Sequence, residues 1–160
     1  MPVFERIMKE IPLGMKMHTP VKKKPFRINF IDVEKKMVYF SAGEELERIH
    51  VGVKTRIRIP DRCFDGIHEF LKGEGIGEGW FLIGPRYDVA PRGTLQEHLD
   101  FVGWGRGSVG SDQKKSRTSD ANYVAVVLEH LKIVEVDPRI PSKVRLKQNK
   151  DVLINRKVTA

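Results

Sequence analysis

The sequence predicts an α+β fold, with a small N-terminal antiparallel β-sheet followed by a helical region that closes in a β-hairpin. Three observations carry this expectation. Apolar and polar residues alternate between Phe26 and Ile59, the period of a strand with one buried face. In three segments between Asp61 and Leu131 the apolar residues recur at spacings of three and four, the period of a helix. Alternation returns from Lys132 to Gln148 around Pro138 and Pro141.

Residues 1–25 read as an arm, because Pro2, Pro12, Pro20 and Pro25 interrupt regular structure. Lys22, Lys23 and Lys24 form a basic run there, either solvated or in reach of phosphates. Phe26, Ile28 and Phe30 alternate with Arg27 and Asn29 in a first strand. Met37–Phe40 returns antiparallel, and the polar Asp32–Lys36 segment turns between them. A third strand is expected at about Ile49–Ile59, with Val51, Val53, Ile57 and Ile59 on one face and Lys54, Arg56 and Arg58 on the other.

Asp61 is placed to cap a helix over Arg62–Lys72. Cys63, Ile67, Phe70 and Leu71 form its apolar stripe, and Gly73 stops it. Glycine then recurs at every second position to Gly79, a turn, before a short apolar strand at Trp80–Ile83. Thr94 with Glu97 forms a capping box for a helix carrying Leu95, Leu99 and Val102. A long loop, Gly103–Thr118, leads to a third helix at about Asp120–Leu131. Its apolar stripe is Ala121, Val124, Ala125, Leu128 and Leu131. A strand at Lys132–Asp137, a turn at Pro138–Ser142 and a returning strand at Lys143–Gln148 complete the folded part. The expected organisation is an arm and sheet at 1–60, a helical domain at 61–148 and a polar tail at 149–160, where Val152–Ile154 is placed to add an edge strand.

The order from Asp61 onward is helix, short strand, helix, helix, strand, turn, strand. In this order, and in the apolar pattern from Tyr123 to Leu146, the chain resembles the winged helix-turn-helix family over about residues 61–148. The resemblance rests on no invariant motif and identifies no subfamily. It implies that the helix beginning at Asp120 is the recognition helix, laid in the major groove of DNA. Ser119, Asn122, Tyr123, Val126 and His130 would form its outward face. Asn122 is the best base reader on that face, since an asparagine amide bonds adenine through two hydrogen bonds. The face holds no Arg or Lys, and Glu129 adds a repelling charge.

The charge distribution points to a polyanion. The chain has a net charge of +8 and a pI of about 9.7. Residues 101–160 hold 12 Lys and Arg against 6 Asp and Glu, whereas the first 100 residues hold 17 against 15. Arg139, Lys143, Arg145 and Lys147 lie on or beside the closing hairpin, and alternation places the last three on one face, a wing suited to phosphates. The loop before the third helix adds Arg106, Lys114, Lys115 and Arg117, with Trp104 placed to stack on a base. The expected partner is nucleic acid, double-stranded DNA first, in transcription regulation or chromatin association. The alternative is a winged-helix subunit that contacts RNA or protein within a larger complex. A free edge on the N-terminal sheet also suits a homodimer.

Catalytic patterns are weak, and no enzyme is expected. Gly105–Gly110 spells G-x-G-x-x-G, but a helix precedes it where a dinucleotide site needs a strand. Asp32, Glu34 and Lys36 resemble the acidic pair and lysine of metal-dependent nucleases, which leaves a nuclease as a third reading. Their place in a hairpin turn favours a solvated turn instead. The five histidines show no ligand spacing, so neither metal nor cofactor is expected. The lone Cys63 suits a reducing compartment, and no signal peptide or apolar span is evident. A cytoplasmic location follows as the expectation, at the nucleoid if the partner is DNA. The few amides and abundant mixed charge suit a thermophile.

Overall fold

The computed structural model of the chain describes residues 1–48, 50–73, 80–83, 120–139 and 142–147. Two antiparallel sheets pack around one apolar core. The first contains β1 (Met17–His18), β2 (Pro25–Asp32), β3 (Met37–Ala42) and β4 (Ile57–Pro60), neighbours in that order. The second contains β5 (Phe81–Leu82), β6 (Val134–Asp137) and β7 (Lys143–Leu146), in the order β5-β7-β6. The helices are α1 (Val3–Glu10), α2 (Glu44–Arg48), α3 (Asp61–Gly73) and α4 (Asp120–His130). Among the described residues, no helix is long and apolar enough to cross a membrane.

The N-terminal segment is not an arm. Pro2 precedes α1 instead of breaking it, a position where its missing N–H costs nothing. Val3, Phe4 and Ile7 are buried, as is Ile11 just beyond the helix. Two bonds fix α1 to later elements. The Val3 amide donates to Asp65 Oδ1 of α3 at 3.0 Å, and Arg6 donates to the Leu131 carbonyl at 2.7 Å. One core cluster therefore runs from Val3 to Val144, across the boundary expected at residue 60.

The hairpin of β2 and β3 forms as expected, with one correction. A register shift between Ile28 and Phe30 turns Phe30 away from the face that holds Phe26 and Ile28. Phe30 pairs with Tyr39 instead, on the opposite face. Asn29 at the shift is fully buried. Its Nδ2 donates to the carbonyls of His50 (2.8 Å) and Val53 (3.3 Å), and its own backbone carbonyl accepts from the Gly52 amide. The loop that Asn29 gathers is why the third strand is shorter than expected. Residues 50–53 turn, with Gly52 at a φ of 96°, and Val51 and Val53 stay exposed. Glu44, Glu45 and Glu47 suit the start of the short helix α2, and after it only Ile57–Pro60 joins the sheet.

Helix α3 begins at Asp61, whose carboxylate accepts from the Arg62 amide at 2.8 Å. Cys63, Phe64, Ile67 and Leu71 are buried, and Phe70 meets the edge of Phe81 from β5 at 5.3 Å. Helix α4 ends at Lys132, which adopts a left-handed φ of 64°. There the Ile133 amide donates back to the Leu128 carbonyl at 2.9 Å, the six-to-one bond of a Schellman ending. That ending aims the chain directly into β6. The helix with the Thr94 capping box, the loop 103–118 and the tail 149–160 lie outside the described residues.

If α1 is part of the core, Ile7→Ala should lower unfolding stability by about 2–5 kcal/mol in urea titration. A loss below about 0.5 kcal/mol, the range of surface substitutions, would show that the helix only rests on the surface.

Candidate nucleic-acid interface

Helix α4 is the expected recognition helix, and its sequence leaves it little surface for that role. Ala121 and the run Val124–Leu128 are buried. Val126, expected to face outward, is only 8% exposed. Tyr123 also departs from the outward position. Its ring meets the edge of Phe26 at 4.8 Å and stacks on Phe40 at 5.6 Å, against the inner face of the first sheet. Asn122 is half-buried, and within Ala121–His130 only Glu129 and His130, at the far end, are exposed. Ser119 lies outside the described residues. The Glu129 carboxylate accepts from the Val136 amide at 3.2 Å and so covers part of the free edge of β6.

The closing hairpin forms as the alternation predicts. Val134 pairs with Leu146, Glu135 with Arg145, Val136 with Val144 and Asp137 with Lys143. Buried Val144 points to the core, so its neighbours Lys143 and Arg145 share the outer face. The Lys147 amide donates to the Ile133 carbonyl, which carries the ladder one step further and holds Lys147 exposed beside them.

Register adds what the alternation of β7 alone omits. Directly paired residues share a face, so Glu135 and Asp137 stand among the cations. Arg145 Nε donates to Glu135 Oε2 at 2.9 Å. Arg139 wraps its own turn: its amide and Nε both donate to Asp137 Oδ1 at 3.0 Å, and a terminal nitrogen donates to Oδ2 at 2.8 Å. The hydrogen bonds from the Arg139 side chain and amide, followed by its charge, hold the Asp137 carboxyl down at about 2. Residues 134–147 thus carry four cations and two carboxylates. Lys143 and Lys147 form no ion pair with a described residue.

The third strand contributes an aromatic group. Phe81 pairs with Val144, which sets Trp80 level with Arg145. Trp80 is 41% exposed, and the Arg145 guanidinium lies 4.4 Å from its ring centroid. The outer face of the sheet therefore holds a row of Trp80, Arg145 and Glu135, with Lys143 and Lys147 on either side of Arg145 along β7. The link to Trp80 depends on β5–β7 pairing, which alternation along one strand does not disclose.

Arg106, Lys114, Lys115 and Arg117 lie outside the described residues. Asp32 serves its turn, accepting from the Lys35 amide at 3.0 Å while Lys54 sits 3.3 Å from its other oxygen. Those contacts, the Lys35 hydrogen bond first, hold its carboxyl below the usual range. Glu34 is exposed, and among the described residues no group of three or more His, Cys, Asp or Glu side chains is arranged to hold a metal ion. No protein-family model matches the chain, and neither a curated protein nor a solved structure does.

Because Asp137 is depressed in the folded state, its clamp contributes stability above the unfolded carboxyl range and loses it as pH falls through about 2. Carboxyl NMR titration should place Asp137 near that value, and Arg139→Ala should return it toward roughly 3.9. An unchanged midpoint in Arg139→Ala would show that the clamp is absent in solution.

Proposed function

We propose that this chain binds nucleic acid by holding the phosphate backbone against the outer face of the β6–β7 hairpin. The supporting observation is the ridge of Lys143, Arg145 and Lys147 along the outer face of β7 and the residue that follows it. The sequence order α3, β5, α4, β6, β7 and the pairing of β6 with β7 fit the winged-helix reading. Double-stranded DNA is the first partner to try, in a chromatin-associated or regulatory role. Because α4 is buried nearly all round, contact falls to the backbone, and binding should depend little on base sequence.

The carboxylates on the ridge do not prevent this. A partly exposed pair such as Arg145–Glu135 is worth about 0.2–1 kcal/mol, little to give up for a phosphate that meets Lys143 and Lys147 on the same face as well. A phosphate can therefore draw Arg145 away. The buried α4 and the partial neutralisation of the ridge favour a second reading, in which the chain is a subunit held in a complex by RNA or protein.

A duplex titration at two salt concentrations separates the two. Affinity should fall steeply with salt, and Arg145→Ala with Lys147→Ala should weaken it and flatten the logarithmic slope by about two. Glu135→Gln releases Arg145 and should tighten binding by about 1.5- to 5-fold, the worth of the surface pair. No binding at low salt sinks the nucleic-acid reading and sends the search to pull-down of a protein partner.

A further inference from the structure

We infer that Trp80 is a stacking platform for an unpaired nucleobase, so that the same face prefers single-stranded nucleic acid to a blunt duplex. This rests on the phosphate-binding reading and deepens it. Trp80 is the one exposed Phe, Tyr or Trp side chain among the described residues. Its neighbours on the outer face are charged. The Arg145 guanidinium lies 4.4 Å from the ring centroid, and Glu135 holds that guanidinium at 2.9 Å. The ring is thereby kept in place beside a charged group on a strand of a three-stranded sheet.

Along β7, Lys143 and Lys147 stand two residues to either side of Arg145. Strand residues two apart are separated by about 6.5–7 Å, close to the spacing of successive phosphates on an extended single strand. An aromatic ring between cations that track the backbone is the combination that binds unpaired bases without reading their sequence. A blunt duplex keeps its bases stacked on one another and offers the ring nothing. Glu135 disfavours a bare anion on the ring itself and leaves a neutral base as the complementary group.

Tryptophan emission gives the test. The chain holds two tryptophans, Trp80 and Trp104, so Trp104→Phe makes Trp80 the sole reporter. Titration with oligothymidylate, oligouridylate and a blunt duplex should quench Trp80 with both single strands and leave it nearly unchanged with the duplex. Comparison of the two single strands shows whether DNA or RNA supplies the base. Trp80→Ala should weaken single-strand binding by about 5- to 100-fold at unchanged salt slope, with Trp80→Phe retaining most of it. Lys143→Ala with Lys147→Ala should instead flatten the slope and keep the quench at saturation. Salt-sensitive binding with no quench overturns the platform and leaves the phosphate ridge standing. Absence of binding to every oligonucleotide overturns both.

Discussion

A helix with five consecutive apolar residues, Val124 to Leu128, has no side to turn toward water, and the rest of the molecule is arranged around that demand. Burying each of the larger side chains in this run is worth about 1.5–3 kcal/mol, far more than one exposed hydrogen bond. The first sheet meets α4 through Phe26 and Phe40, which take the ring of Tyr123. Helix α3 and the β6–β7 hairpin border it as well, and α1 is tied to the turn after it through Arg6. The N-terminal sheet is thus a cover for this helix, and the two halves of the chain share one core.

Once α4 is enclosed, the polar chemistry moves to the hairpin. Its inner side is fixed by Val134 and Val144, so its outer side is fixed as well. Cations and carboxylates alternate across that outer side because the two strands pair Glu135 with Arg145 and Asp137 with Lys143. Opposite charges directly across strands stabilise the pairing. They also restrain the field of the ridge, so that a ligand gains from Arg145 only by displacing a neighbour. Such a surface suits moderate, salt-dependent attachment better than tight site-specific reading.

Much of the fold was legible in the residues. The β2–β3 hairpin, α3 with its Asp61 start, α4 and the β6–β7 hairpin all lie where periodicity and capping place them. Errors arose where long-range contacts outweighed local pattern. Prolines suggested an arm at residues 1–25, yet Val3, Phe4 and Ile7 follow helical spacing and find a core partner in α3. Alternation suggested strand at Val51 and Val53, yet buried Asn29 draws their backbone into a turn. For Val126 a signal was present: a run with no polar residue between Val124 and Leu128 leaves no outward face to share.

The sequence by itself determined the kinds of element, their order, the apolar α4 and the cations of β7, because these depend on neighbours within a few residues. Tertiary structure alone decided that α1 joins the core, that Tyr123 turns inward, and that Trp80 comes to lie on Arg145. Each of those depends on pairing between segments distant in the chain, which burial and strand register settle together.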